Sequence, residues 1–277
     1  MTEQKMKIFR DNVHGYIDIP YDYVTSFVDT ELFQRLRGIE QTGMRVLYPS
    51  ARHDRFIHSL GTYFLGHKAF EHFRKNVYST YNGSTNNHYD VLNDRAKSDR
   101  FWEKYRILFE IACLLHDCGH APFSHTLEFH YDTECIDDKK ITPLKAKLLE
   151  YNGSTAFKKD YESQGYPGSA HERMSALLVC TEYKNTIDEL ISRYDLNADS
   201  DSNVEFIVRA IIGCKYKYVY NQQNQIKNCF IELLNSNSID VDSLDYIIRD
   251  SKLSGVDNIN IDIERLLGSL TLVEITI

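Results

Sequence analysis

The chain has 277 residues, a hydrophobic fraction of 42% and a formal net charge of −8. That length and apolar content support one domain with a sizeable core, while the acidic balance argues against broad nucleic-acid binding, which draws on a positive surface. No apolar run approaches the ~20 residues of a membrane span, Met1 to Lys7 lack the hydrophobic region of a secretory signal, and the six cysteines include no C-x-x-C pair, so the expected location is the cytoplasm with reduced thiols.

In chain order, Ile8 to Pro20 places apolar residues on both sides of His14-Gly15, which predicts a short hairpin with His14 as a turn residue and not a ligand. From Tyr21 to Arg37, Val24, Phe27, Val28, Leu32, Phe33 and Leu36 recur at helical spacing, with a break near Asp29-Thr30. Asp54 is a candidate N-cap for a helix whose apolar side includes Phe56, Ile57, Leu60, Phe64 and Leu65, and His58 falls in its first turns, one turn from Arg55. Residues 79–99 read as a polar surface loop with a solvated His88.

Helical spacing returns at Phe101, Tyr105, Leu108, Ile111, Ala112 and Leu115, a nearly all-apolar central helix that Gly119 and Pro122 end. Cys113 and, later, Cys180 lie in apolar runs and read as small core residues. The 130–168 stretch is predicted to be loop apart from a short helix at 143–150, with Thr142 as cap and Pro143 at its first helical position. Ser169 to Glu172 matches a capping box, and Ser202 to Glu205 repeats the pattern for a helix bearing Ile207, Val208, Ile211 and Ile212. Lys215 to Tyr220 is basic and aromatic, more a solvated connector than a nucleotide contact. A last helix starts near Asp240, with Asp242, Tyr246, Arg249 and Asp250 on one face, and Leu270 to Ile277 is strand-like.

His116 and Asp117 leave the core at a helix C-terminus, with His120, His125 and Glu128 close behind. That density of metal ligands and proton carriers marks a reaction centre. A divalent ion that activates water needs a few fixed imidazole or carboxylate ligands and an open position. His58, His116, Asp117 and Asp242 supply two of each from three helices. Nitrogen and oxygen ligands without thiolate suit Mn, Fe, Zn, Ni or Mg.

Three stretches carry a resemblance: Arg55-Phe56-Ile57-His58-Ser59-Leu60-Gly61, His116-Asp117-Cys118-Gly119-His120-Ala121-Pro122-Phe123-Ser124-His125, and Asp240-Val241-Asp242-Ser243-Leu244-Asp245-Tyr246-Ile247-Ile248-Arg249-Asp250. Together they resemble the HD-domain phosphohydrolase superfamily and, more narrowly, its SAMHD1-like deoxynucleoside triphosphate triphosphohydrolases. The resemblance implies a mainly α, HD-domain helical fold with a core at about 8–255. It also implies hydrolysis of a dNTP to deoxynucleoside and inorganic triphosphate.

Under that resemblance His58, His116, Asp117 and Asp242 are the metal ligands, and His120, His125, Glu128 and His171 surround the scissile phosphate. His125 oriented by Glu128 is the first choice to protonate the leaving 5′-oxygen. Arg55 would bind phosphate, and Gln41, Tyr246 and Asp250 would recognise the sugar. Arg249 is expected to pair with Asp245 or Asp250, and Asp29, Gln34 and Arg37 match a site for an activating GTP or dNTP. Homo-oligomerisation is a further implication.

Two departures leave alternatives open. Ser243 stands where some relatives carry a phosphate-contacting lysine, and relatives continue past the last residue here into a region that supplies base contacts, regulation and oligomer interfaces. Another nucleotide, single-stranded nucleic acid or a non-catalytic nucleotide-sensing role therefore stay beside the dNTP reading.

Overall fold

A computed structural model describes residues 5–78, 96, 98–131, 135–136, 139–140, 143–152, 154–196, 202–218, 220–256 and 259–272. The hairpin forms as expected, from antiparallel strands β1 (Met6–Asp11) and β2 (Gly15–Pro20) paired Met6 with Pro20 through Asp11 with Gly15. Gly15, at φ +85°, supplies the left-handed residue that ends the tight connection. Ile17 and Ile19 point into the core while Tyr16 and Asp18 point away, the period-2 pattern of a strand with one buried face.

Tyr21 to Val28 winds as one α-turn followed by a π-turn, and the chain breaks at Asp29-Thr30 as the apolar spacing indicated. The Thr30 hydroxyl then accepts from the Phe33 amide and caps the short Glu31–Gln34 helix.

Helix α1 (Arg55–Tyr78) is capped by Asp54, whose Oδ1 accepts from the Ile57 amide at 2.9 Å. It packs against α2 (Asp99–Leu115), whose core side includes Trp102, Leu108, Phe109 and Ile111. Close approach is required here, because a Cβ on Gly66 would lie 2.5 Å from Cys113 Sγ. Phe70 and Phe73 of α1 meet Trp102 and Phe230, making the aromatic centre of the core.

The remaining helices are α3 (Leu144–Asn152), α4 (Thr155–Ser163), α5 (Ala170–Leu178), α6 (Lys184–Arg193), α7 (Asn203–Ile212), α8 (Gln222–Leu234), α9 (Val241–Ser254) and α10 (Ile263–Gly268). The expectation of loop around α3 is corrected. Ser154 caps α4, and Phe157 and Tyr161, one turn apart, bury a minimal apolar face with their rings 5.2 Å apart. A two-residue antiparallel pair, Cys135–Ile136 with Lys139–Lys140, also forms in this stretch. The capping box at Ser169 and Glu172 is present, whereas at Ser202 the hydroxyl accepts from the Glu205 amide but the Glu205 carboxylate turns to Arg209 instead of completing a box.

Arg249 pairs with Asp245, the first of its two expected partners. Asp245 and Arg249, one turn apart, are buried, while the Asp242 side chain is one third exposed and Tyr246 is exposed. Lys215 to Tyr218 is a connector whose Lys215 pairs with Glu232 and whose Tyr218 is exposed. Cys113 and Cys180 are buried and free. Residues 79–95 with His88, Thr142, and 273–277 of the strand-like ending lie outside the described residues; 270–272 are not in a strand. Among the described residues no helix is long and apolar enough to cross a membrane.

Candidate active site

The four candidate metal ligands converge from three places: His58 from the first turn of α1, His116 and Asp117 from the turn that ends α2, and Asp242 from the first turn of α9. His58 Nε2 and His116 Nε2 are 3.3 Å apart, about the separation of two nitrogens ~2.1 Å from a common ion. Asp242 Oδ1 lies 2.9 Å from His58 Nε2 and 3.4 Å from His116 Nε2, and Asp117 closes a third side at 3.7 and 3.6 Å from the same two atoms.

The far nitrogens support the same orientation. His116 Nδ1 donates to the Cys113 carbonyl at 2.8 Å and His58 Nδ1 contacts Asp245 Oδ2 at 2.7 Å, so both rings turn Nε2 toward one point, as imidazole ligands do. This donor set fits a divalent ion, and the group His58, His116 and Asp117 could hold one. Burial disfavours charge on His58, but its contacts with Asp242 and Asp245 overcome that and raise its pKa to about 10. Burial likewise opposes ionisation of Asp117, and Arg55 with the His120 and His116 imidazoles reverses it, holding the carboxyl well below its usual range.

The turn after α2 is held open by specific contacts. Arg35 donates Nη2 to the Cys118 carbonyl and Nη1 to the His120 carbonyl, at 2.5 and 2.7 Å, placing a cation at the carbonyl end of the helix. Phe123 and Ser124 both have positive φ, 64° and 54°, a rare pairing for side-chain-bearing residues. That backbone brings Ser124 Oγ within 2.6 Å of Arg55 Nη2. Arg55 also reaches Asp117 Oδ2 at 2.5 Å and His125 Nε2 at 3.2 Å, so its fork ties the metal side to the histidine side.

The second group comes together as well. Nδ1 atoms of His120, His125 and His171 lie 3.2, 2.9 and 3.0 Å from the single oxygen Glu128 Oε1. The His120 and His171 rings stack at 3.9 Å, and His120 Nε2 stands 3.2 Å from Asp117 Oδ1. His120 is fully buried, whereas the His125 side chain is 65% exposed, so His125 is the one of the pair open to a substrate. Burial lowers the His125 pKa; Glu128 opposes that and Arg55 adds to it.

Of the candidate sugar contacts, Asp250 meets His53 Nε2 at 2.5 Å, and the Gln41 amide donates to the His53 carbonyl. Gln41 Oε1 is buried and has no hydrogen-bond partner among the described residues. In the candidate regulatory group, Arg37 Nε donates to Gln34 Oε1 at 2.8 Å and its guanidinium lies on the Phe56 ring, but Asp29 instead faces Lys7 at 3.7 Å.

Sequence reasoning missed His53, Asp245 and the partnership of His14. Asp245 was readable only as an acid one turn before Arg249. No local pattern ties His14 to a residue 231 positions away.

Residues 55–154 match the HD domain family. Deoxynucleoside triphosphate triphosphohydrolase SAMHD1 of Gallus gallus is 30% identical over 275 residues, 96% of this chain and 37% of that protein. The SAMHD1 homolog of Dictyostelium discoideum is 28% identical over 96% of this chain and 40% of its own length. The chain thus spans about two fifths of these relatives. A crystal structure of a hypothetical protein from Aquifex aeolicus superposes with a TM-score of 0.59 at 22% identity, over 98% of this chain and 52% of that one, which shows the fold. The chain thus carries an HD domain at residues 55–154 and is similar to the SAMHD1 triphosphohydrolases along nearly its whole length.

Proposed function

We propose that the protein hydrolyses deoxynucleoside triphosphates to deoxynucleoside and inorganic triphosphate. The observation that carries this reading is the convergence of His58 and His116 Nε2, 3.3 Å apart, beside a separate histidine and carboxylate cluster that could move a proton. The names of the relatives supply the substrate class. A bound divalent ion would polarise the α-phosphate and lower the pKa of a water.

The chain's own groups would do the rest. Water, having released one proton to solvent, forms the new bond to the α-phosphorus through its oxygen as the bond to the 5′-oxygen breaks, and His125, whose Nδ1 stands 2.9 Å from Glu128, gives that oxygen its proton. In the free protein burial favours the neutral His125 ring. A polyanionic triphosphate works in the opposite sense, charging the ring where an acid is needed. His120, fully buried between Asp117 and Glu128, would position both carboxylates, and His171 would steady Glu128 from the other side. Arg55 would meet phosphate from its seat on Asp117, and Gln41, Tyr246 and Asp250 would face the sugar.

The same proposal includes activation by GTP or a dNTP at Asp29, Gln34 and Arg37, homo-oligomeric assembly and a cytoplasmic location. Ser243, which leaves the site without a lysine beside Asp242, supports a second reading in which a nucleotide with a different phosphate chain is the substrate. Product analysis separates the two. Purified protein is incubated with each dNTP and NTP, with Mn, Mg or no added metal, with and without GTP, beside an Asp117→Ala control. Release of inorganic triphosphate by the wild type alone is the expected result. Pyrophosphate or orthophosphate as the first product would sink the dNTP reading, and equal behaviour of wild type and control would sink the hydrolase site.

A further inference from the structure

We infer that His14, in the turn of the N-terminal hairpin, is a positioning residue for the candidate metal ligand His58 and acts through Asp245. The inference rests on the metal reading of the site proposed above and adds a residue from a different part of the fold.

Asp245 is fully buried, and its two oxygens have four partners. Oδ1 meets His14 Nε2 at 2.6 Å and Arg249 Nη2 at 2.9 Å; Oδ2 meets His58 Nδ1 at 2.7 Å and Arg249 Nε at 2.8 Å. A carboxylate has about four lone-pair sites, so each oxygen is shared by one imidazole and one guanidinium contact. His14 on Oδ1 and the Arg249 fork across both oxygens together keep Oδ2 on His58.

A salt bridge between Asp245 and Arg249 alone would not need His14. Arg249 already has a second carboxylate, Asp11, on both terminal nitrogens at 2.9 and 3.1 Å. Asp11 Oδ2 in turn accepts from the His14 amide at 3.0 Å, which fixes the hairpin turn over α9. The His14 side chain is 3% exposed and its ring lies 5.2 Å from that of Phe64. On the other side α1 gives way to the carboxylate: a Cβ on Gly61 would lie 1.9 Å from Asp245 Oδ1. The imidazole, the carboxylate and the gap in α1 form one fitted contact behind His58. Carboxylates behind imidazole ligands fix ring orientation, and their loss weakens metal affinity by about 10–100-fold.

The test uses the full chain stripped of metal by a chelator and titrated with Co(II), read by visible absorption, with no substrate present. His14→Ala should weaken Co(II) binding about tenfold and alter the spectrum. His14→Gln, whose amide can still reach Asp245, should recover most of the affinity. His14→Asn, polar but too short, should not. Equal Co(II) affinity in wild type, the Gln variant and the Asn variant would overturn the inference while leaving the metal site intact. A role confined to hairpin stability would lower the melting temperature of the metal-free protein and leave affinity and spectrum unchanged, which also overturns it. Failure of the wild type itself to bind Co(II) would remove the metal reading and this inference together.

Discussion

Arg55 Nη1 lies 2.5 Å from Asp117 Oδ2, so the carboxylate between the two candidate clusters carries a fixed cation on one oxygen and faces imidazoles with the other. Both residues are at most 3% exposed, which makes this a buried charge pair whose members depend on each other.

Arg55→Ala should therefore destabilise the metal-free protein by about 3–5 kcal/mol, because Asp117 would be left charged in the interior without its cation. Arg55→Lys keeps a charge but cannot hold Asp117 and Ser124 with one fork. It should fold and yet lose at least about tenfold in turnover, roughly 1.4 kcal/mol of barrier. Urea denaturation and product assays check the two effects separately. An Arg55→Ala protein as stable as the wild type would show that the pair does not hold the turn.

Metal uptake should depend on pH in a defined direction. His58, raised to about 10 from an ordinary 6.5, holds a proton on the nitrogen that the ion must take. Binding therefore releases a proton, and apparent affinity should rise by up to about tenfold per pH unit between pH ~7 and ~9. The sign for folding runs the other way. A raised histidine stabilises the metal-free fold fully below the unfolded value and loses that contribution as pH climbs through about 10. Asp117, Asp242 and Asp245 are all lowered, so their contribution is present above the ordinary carboxylate range and is lost on acidification below it. Competition with a chelating dye across pH, and melting curves without metal, report the two trends; a pH-independent affinity would contradict a protonated His58.

Much of this arrangement is legible in the sequence because it is local. Asp54 before an apolar helical face, Ser169 with Glu172, and His116-Asp117 at the end of the α2 apolar run each carry their structural meaning within about ten residues, which is the reach of capping and periodicity rules. Helix α4 was not legible, since Phe157 and Tyr161 are its only buried apolar residues and two positions make no period. Helix α8 is polar at Gln222, Gln223, Asn224 and Gln225, and its core contact, Phe230 against Trp102, is long-range. The buried pair of α9 escapes periodicity for a different reason. Arg249 and Asp245 are charged, and only the distant Asp11, His14 and His58 make their burial favourable.

Glu128→Gln removes the charge from the oxygen that three imidazole Nδ1 atoms share. Burial and Arg55 already pull the His125 pKa down while Glu128 resists, so the variant should lower it further. If His125 is the proton donor, activity at neutral pH should fall by about 10²-fold and the alkaline limb of the rate profile should move to lower pH. Combining it with His125→Ala should add little, because the two substitutions disable one proton transfer. Additive losses would assign Glu128 to a different task.

Gly119→Ala tests the packing that brings His171 to the site. A Cβ at Gly119 would lie 2.3 Å from Ser175 N, 2.7 Å from Met174 C and 2.8 Å from the His171 carbonyl oxygen. All three are backbone atoms of α5, so no side chain can turn aside and the helix itself must move. Its first turn carries His171, whose Nδ1 is 3.0 Å from Glu128, and the contact is tied by Gly119 N donating to Ser175 Oγ at 2.8 Å. The variant should lose about 1–3 kcal/mol of stability, the usual cost of overpacking, and at least about tenfold in turnover as His171 leaves its partner. Ser175→Ala is the comparison: it deletes one hydrogen bond worth about 1 kcal/mol without pushing α5 away. Turnover in Gly119→Ala should therefore fall well below that of Ser175→Ala. Equal turnover in the two variants would mean that the hydrogen bond, and not the missing side chain, sets the position of His171.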